Sequence, residues 1–503
     1  MLLLVGTLLV RRLLIQRIGS DVNGLNALYT SVIGVLAVAE LGVGSAIIYS
    51  MYRPIIAGDR RQVAALYRLH RQAYRVIGGV IFGAGLLVMP FLPRMISDRE
   101  ALNVNIYTTF LLTLTSVCLT YQYSAKASLI EAYKDNYITT AILTVSGLAR
   151  LGLQAAVILI WASYEAYLTC QIIETLLSWG LTNLAARRRH GAILQMRGTL
   201  EPSTRLEVRR NVRAMFMHKV GTILVNSIDS VLISIFIGVA VLGKYSNYVL
   251  LAGVAAGTIS LFFSPLTSVV GHLCATADPA QAEAVFNRFY CLNYILGVVC
   301  FLGYFAVADS VIELWVGAGQ RVSRAILYII ALNQFTSFMR RTTLLFRDAS
   351  GTFYHDRWKP VAEGVINLVL SLLFVIAFPE EYRIVGVIVA TIITTLTVCD
   401  IVEPWIVFRH VFKKSPKRFY LKSYLYYALF VVCLSVMTRI VAPSENSLVG
   451  MLKNGALSVG VSLTALGLLS VADGSFRGEA QALTGRAINL LRRKAAHEAA
   501  RRC

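Results

Sequence analysis

The sequence predicts an all-α, polytopic membrane protein of about 14 helices, and three observations carry that prediction. The 503-residue chain is 56% hydrophobic and only 15% charged, with mean hydropathy +0.65. A soluble domain does not carry so much apolar surface. Apolar runs of about 20 residues recur along the chain, which is the length needed to cross a roughly 30 Å hydrocarbon core. The runs are uniformly apolar where a β-barrel strand would alternate, so a barrel is excluded.

In chain order, the first span (1–15) is short and starts at the initiator methionine, the pattern expected of a clipped helix. No small-residue cleavage site follows, so it is not read as a signal peptide. The second span (27–50) holds a carboxylate, Glu40, and is loosened by Gly42, Gly44 and Ser45 before Arg53 and Pro54. Spans 76–96, 106–124, 137–160 and 164–186 complete a first group of six. A second group covers 212–237, 246–273, 289–308, 325–345, 361–379 and 384–408, and 423–440 with 449–472 form a terminal pair. The corresponding regions are an N-terminal lobe at 1–204, a C-terminal lobe at 205–412, and 413–503 carrying the last pair and a basic tail.

The net charge of +21 would suggest nucleic acid in a soluble protein; here it is distributed by topology. The segments 51–75, 124–136, 187–219, 274–288, 340–360, 409–422 and 473–503 hold 36 of the 48 Lys and Arg. The alternate set, 16–26, 93–105, 238–245, 309–324, 379–383 and 439–448, holds 8. The rich set is therefore cytoplasmic, with both termini, and a nucleic-acid partner is not expected. The basic stretches 52–75 (with Arg68, Arg71 and Arg75 on one side) and 476–503 read as amphipathic surface helices. They suit anionic lipid headgroups, either as plain anchors or as collectors of an anionic substrate.

The eight cysteines, at 118, 170, 274, 291, 300, 399, 433 and 503, form no CxxC and sit mostly in apolar runs, so they read as small core residues. The chain contains no GxxxxGK[ST], no HExxH and no nucleophile elbow. Catalytic residues, cofactors and metal ligands are not expected.

The chain repeats itself at an offset near 219. Gly24 matches Gly243, Tyr29 matches Tyr248, Gly34 matches Gly253, Ser45 matches Ser264, Asp59 matches Asp278 and Gly78 matches Gly297. Near offset 221, Tyr133 and Asp135 fall over Tyr354 and Asp356. The shift spans six helices, an even number, so the copies point the same way about a pseudo-two-fold axis along the membrane normal. Two such lobes enclose a central cavity, the usual site of a rocking transporter.

The stretches "YTSVIGVLAVAELGVGSAIIYSMYRPIIAGDRRQVAAL", "VGHLCATAD" and "FRDASGTFYHDRWKPVAEGVINL" resemble polysaccharide-export flippases. These belong to the multidrug/oligosaccharidyl-lipid/polysaccharide exporter superfamily. The likeness covers nearly the whole chain. It implies a flippase that turns a polyprenyl-pyrophosphate-linked oligosaccharide from the cytoplasmic to the outer leaflet of the cell membrane, for capsule, exopolysaccharide or O-antigen assembly. Proton or sodium coupling is what the superfamily implies. The first helix departs from the pattern by lacking the usual cytoplasmic lead-in.

A pyrophosphate headgroup needs a wet, cationic cavity, and a midplane Arg costs about 2.5–3.5 kcal/mol on insertion scales unless it faces a cavity or partner. Arg11, Arg12, Arg17, Arg150, Lys219, Arg340 and Arg341 are the candidates for such a lining. Snorkelling at the interface is the alternative for Arg17, Lys219, Arg340 and Arg341. The acids in or near spans are Glu40, Glu174, Asp229, Asp400 and Glu403. Subtracting the repeat offset from Asp229 gives a position beside Arg11. The two first helices thus carry opposite charges at similar depth, and Asp229 is expected to pair with Arg11 or Arg12, or else locally with Asn226 or water. Glu40, with Gly42 and Gly44 beside it, reads either as a coupling or gating carboxylate or as a cap on loop arginines such as Arg53. A drug or cation antiporter of the same fold is the first competing function, and it would want an acidic cavity. A polysaccharide polymerase or ligase is the second, and it would want a large external loop that this chain does not have.

Overall fold

The computed structural model describes residues 2–40, 43–97, 102–196, 198, 200, 206, 227–263, 266–352, 355–356, 358–441 and 448–482. Among them the protein is all-α, without a strand. Eight of the described helices are long and apolar enough to cross a membrane. The residues fall into two compact units, Met1–Ser246 with Pro360–Val387, and Asn247–Lys359 with Ile388–Cys503.

The first unit holds α1 (Leu2–Arg17), α2 (Ser20–Leu36), α3 (Val43–Ile56), α4 (Arg60–Val88), α5 (Ile106–Ala132), α6 (Asn136–Ile160), α7 (Tyr164–Gln195), α8 (Ser227–Phe236) and the first turns of α9 (Val239–Phe263). Local chemistry sets the ends. Asp59 accepts from the Gln62 amide at the start of α4, Asn105 from the Tyr107 and Thr108 amides at α5, and Ser163 from the Ala166 amide at α7. The 27 residues of α5 and the 32 of α7 are rich in Thr, Tyr and charged side chains, and neither is among the eight apolar spans.

Two expectations need correction. The second span is not one continuous helix. It breaks into α2, a 3₁₀ turn at Ala37–Glu40 and α3. In the second copy the described helices are α9, up to Phe263, and α10 (Leu266–Thr276). The basic stretch 52–75 is likewise no separate surface helix, because from Arg60 onward it is the first half of the unbroken α4. The stretch is first broken at Ala57–Asp59, where Gly58 takes a left-handed φ of 73°, and from Arg60 on it holds neither proline nor glycine to interrupt helical hydrogen bonding.

The repeat has a physical counterpart inside the first unit. A Cβ on Gly24 would lie 1.7 Å from the Val239 carbonyl oxygen, and a Cβ on Gly243 would lie 2.6 Å from the Ser20 carbonyl oxygen. Ser20 and Val239 are separated by the same 219 positions as the two glycines, so α2 and α9 cross reciprocally, as a local two-fold requires. Asn23 Nδ2 donates to the Gly243 carbonyl at 3.0 Å and to Ser246 Oγ at 3.2 Å, fixing the crossing. Other matched residues do equivalent work. Tyr29 and Tyr248 are both fully buried, the first donating to the Ile106 carbonyl and the second to Asp309. Gly78 admits Tyr121, and Gly297 admits Phe335 and Phe338.

The second unit contains the rest of α9, α10, the 38-residue α11 (Pro279–Val316), α12 (Arg324–Met339), α13 (Arg341–Ala349), α16 (Asp400–Val407), α17 (Lys417–Ile440) and α18 (Leu448–Ala472). α14 (Lys359–Ala377) and α15 (Arg383–Thr394) pass from one unit into the other. π-helical turns at Thr395–Cys399 and Phe408–Phe412 flank α16. Such turns free carbonyls, which in hydrocarbon must find donors. The hydroxyl of Tyr424 on α17 donates to Leu396 O in the first of these turns at 2.7 Å, and that of Tyr420 to Ile401 O in α16 at 2.6 Å. Phe286 anchors this end through ring contacts of 5.2–5.6 Å with Phe346, Phe408, Phe412 and Phe419.

The crossing makes a direct prediction. Gly24→Ala and Gly243→Ala should each destabilise the protein by about 1–3 kcal/mol, with Gly24→Ala the worse, because each methyl meets backbone and not a yielding side chain. Thermal unfolding in detergent measures both; an unchanged midpoint for Gly24→Ala contradicts the close approach.

Candidate functional site

Three clusters of polar and charged side chains are built into the helices. The first lies at the broken second helix. Glu40 closes the 3₁₀ turn, and its two carboxylate oxygens accept from the hydroxyls of Tyr74 on α4 (3.1 Å) and Tyr121 on α5 (2.8 Å). A Cβ on Gly44 would lie 2.3 Å from the Tyr74 hydroxyl, so the glycine makes the room that lets Tyr74 reach the acid. His70, one turn before Tyr74, is fully buried and stacks on it with ring centroids 4.4 Å apart. Neither His70 ring nitrogen has a hydrogen-bond partner among the described residues. Glu40 is thus held by neutral donors, and no ion pair with Arg53 is found among the described residues. Gly42 lies outside the described residues.

The second cluster hangs on the α2–α9 crossing. Arg11 is half-buried on α1 and donates through Nη2 to Ser246 Oγ at 2.5 Å. Ser246 in turn donates to the Gly243 carbonyl at 2.8 Å. Asp229, half-buried on α8, acts electrostatically on Tyr245, the neighbour of Ser246. Arg12 and Arg17 are exposed on α1. Deeper in the same unit, a cavity of about 320 Å³ lies among α5, α6 and α7, lined by Ser116, Thr120, Tyr123, Arg150, Gln171 and Glu174 among others. Arg150 contributes there as one half of an ion pair, its Nε 2.6 Å from Glu174 Oε2. It also donates to Gln154 at 3.0 Å.

The third cluster belongs to the second unit. Glu403 on α16 is fully buried and takes both ends of a fork from Arg340, at 2.6 and 3.2 Å, together with Lys359 Nζ at 2.6 Å. Arg347 pairs with Asp356 in the turn before α14. Burial pushes the Asp356 carboxyl up, against the opposing pull of Lys359 and Arg347. Arg341 points elsewhere: it donates to the Ala256 carbonyl at 3.3 Å and covers the Phe338 ring at 4.6 Å.

Of the sequence candidates, Arg150 and Arg340 are thus neutralised by carboxylates, Arg11 rests on a neutral hydroxyl, and Lys219 lies outside the described residues. The partners Tyr74, Tyr121, His70 and Lys359 escaped the sequence reading. Tyr74, Tyr121 and Lys359 are remote in sequence from the acids they bond, His70 reaches Glu40 only through Tyr74, and only helix packing brings them together.

The charge triad yields a test. Glu403→Gln removes the carboxylate that Arg340 and Lys359 share and should cost about 3–5 kcal/mol, whereas Arg340→Gln leaves Glu403 its lysine and should cost less. Denaturant unfolding of the two variants in detergent decides it; equal losses contradict a shared carboxylate.

No protein-family model matches the sequence, and no curated protein matches it. Solved structures do match by fold. One is described as the lipid II flippase MurJ in an inward closed conformation, with TM-score 0.62 and 12% identity, covering 93% of this chain and 98% of that one. A second is a multidrug resistance MATE family transporter of the MOP superfamily in an inward-facing conformation, with TM-score 0.58 and 14% identity, covering 80% and 94%. A third is a MATE structure in a bent conformation, with TM-score 0.52 and 13% identity, covering 81% and 93%. At these identities the likeness establishes the shared fold and nothing finer.

Proposed function

We propose that this chain is a flippase of the cell membrane that moves polyprenyl-pyrophosphate-linked oligosaccharide units from the cytoplasmic to the outer leaflet for surface polysaccharide assembly. It works by alternating access of two six-helix lobes, 1–204 and 205–412, with the helices of 413–503 beside them and both termini cytoplasmic. The fold shared with a lipid II flippase and with multidrug transporters supports an exporter. One observation carries the choice of an anionic, phosphate-bearing substrate. Arg11 is a half-buried cation whose bond is to Ser246, and it has no carboxylate partner among the described residues. An Arg so placed keeps its charge for a ligand, and phosphate engages a guanidinium bidentately. Arg12 and Arg17, on the same helix, extend the basic surface. In another state of the cycle Asp229 pairs with Arg11, so that substrate phosphate and carboxylate compete for one guanidinium. Glu40, held by two tyrosine hydroxyls, is the coupling carboxylate for a proton or sodium ion.

The second reading, a drug or cation antiporter, is favoured by the same Glu40 cluster, since an acid held by neutral donors also suits a cationic substrate. The two readings part at Arg11, which would repel such a substrate.

In cells lacking the gene, lipid-linked repeat units should accumulate on the cytoplasmic leaflet, read as protection from added glycosidase in sealed vesicles of known orientation. Wild type should relieve the block and Arg11→Ala with Arg12→Ala should not. Normal surface polysaccharide with no trapped intermediate overturns the flippase and turns attention to drug efflux. Glu40→Gln should reduce transport at least tenfold and flatten its dependence on the ion gradient; an unchanged ion dependence removes the coupling role. Gly44→Ala, which displaces Tyr74 from Glu40, should move the ion dependence in the same direction by less.

A further inference from the structure

At the end of α16 the second unit carries a cavity of about 460 Å³ lined by Trp405, Arg409, Lys413, Lys414, Ser415 and Pro416. Three of its six lining residues are cations and none is an acid. Lys414 is shared with Glu283, 2.5 Å from its Nζ, while Arg409 and Lys413 have no carboxylate partner among the described residues. The loop is held in shape from below. Lys413 adopts a left-handed φ of 55°, and the Lys414 amide donates to the Phe408 carbonyl at 3.0 Å. Phe408 and Phe412 are buried in the aromatic cluster around Phe286. The backbone of the recess is thus fixed, and its three cationic side chains are exposed above it.

The repeat shows what is missing here. Arg409 and His410 lie 220 positions after Arg189 and His190. In the first copy Arg189 donates to Asp135 at 2.9 Å and to the Tyr137 hydroxyl at 2.7 Å, and His190 stacks on Tyr133 at 4.5 Å. In the second copy His410 stacks on His355 at 3.9 Å, but the carboxylate that the repeat lays over Asp135, Asp356, pairs with Arg347. Arg409 is left without the anion that its counterpart owns. The helix that follows deepens the deficit, because α17 starts beside the recess without a side-chain cap and with Lys417 and Arg418 in its first turn. Cations at a helix N-terminus oppose the macrodipole, and an anion there relieves both.

We propose that this recess binds a phosphate group: Arg409, Lys413 and Lys414 take the phosphate oxygens, and Trp405 walls the site on its apolar side. Ile401, Trp405 and Arg409 follow one another at four-residue spacing, with Ile401 and Trp405 exposed at 43% and 48%. That order, apolar to aromatic to cationic, matches the profile of a phospholipid from acyl chain to headgroup. The preferred source is thus an anionic phospholipid headgroup, with a soluble phosphate or pyrophosphate as the other source of the same chemistry.

The test uses the purified full-length chain in vesicles containing dibrominated phosphatidylglycerol or dibrominated phosphatidylcholine. Trp405 emission is isolated as the difference between wild type and Trp405→Phe. Preferential quenching by the anionic lipid, weakened about fivefold in apparent affinity by Arg409→Gln and further by adding Lys413→Gln and Lys414→Gln, establishes the lipid source. Quenching equal in both lipids, with inorganic pyrophosphate raising the unfolding temperature of wild type but not of the triple variant, establishes the soluble source. Should the triple variant fail to fold, Arg409→Gln alone decides. No lipid preference and no pyrophosphate shift, or effects that survive the substitutions, overturn the site.

Discussion

The close approach of α2 and α9 at Gly24 and Gly243 is the constraint on which the rest of the first unit depends. Helices in a bilayer gain nothing from burying apolar surface against each other, since lipid is as apolar as leucine, so they need fit and hydrogen bonds. Here the fit is backbone against backbone, reciprocal over the same 219-residue step, and sealed by Asn23. Ser246 completes the joint and presents its hydroxyl to Arg11. The basic side chain that matters most to the proposed function is therefore positioned by the same contact that joins the two copies of the fold.

A second theme is how differently the intramembrane charges are handled. Arg340 and Lys359 share the fully buried Glu403, and Arg150 has Glu174. These pairs relieve one another's desolvation and leave little charge to offer a ligand. Glu40 and Arg11 are instead held by hydroxyls. Hydroxyls fix an ion in place without cancelling it, which is the arrangement the proposed function needs.

Much of this was legible in sequence because helical membrane proteins write their architecture in composition. The all-α fold followed from recurrent apolar runs, and the repeat from glycines and tyrosines that turn out to do the same work twice. Glu40 and Gly44 stood out because a carboxylate and a glycine are both costly in an apolar run unless something uses them. The 3₁₀ turn at Ala37–Glu40 was missed because hydropathy averages over a turn and is blind to a local change of helix geometry. The partners of Glu40 and Glu403 were missed for a different reason. Tyr74, Tyr121 and Lys359 are ordinary residues for their local surroundings, and nothing short of three-dimensional packing tells which acid each will meet.

The two tyrosines of α17 that donate to backbone carbonyls in and just after the first π-turn have a consequence for insulation. The Leu396 and Ile401 carbonyl oxygens accept from the hydroxyls of Tyr424 and Tyr420. A phenylalanine at either position would preserve the shape and strip the donor. The bare carbonyl would then recruit water as its next-best partner, carrying a hydration defect into the hydrocarbon. In a membrane that stores an ion gradient, these two hydroxyl groups are part of the dielectric seal, and their worth would be counted in leak current.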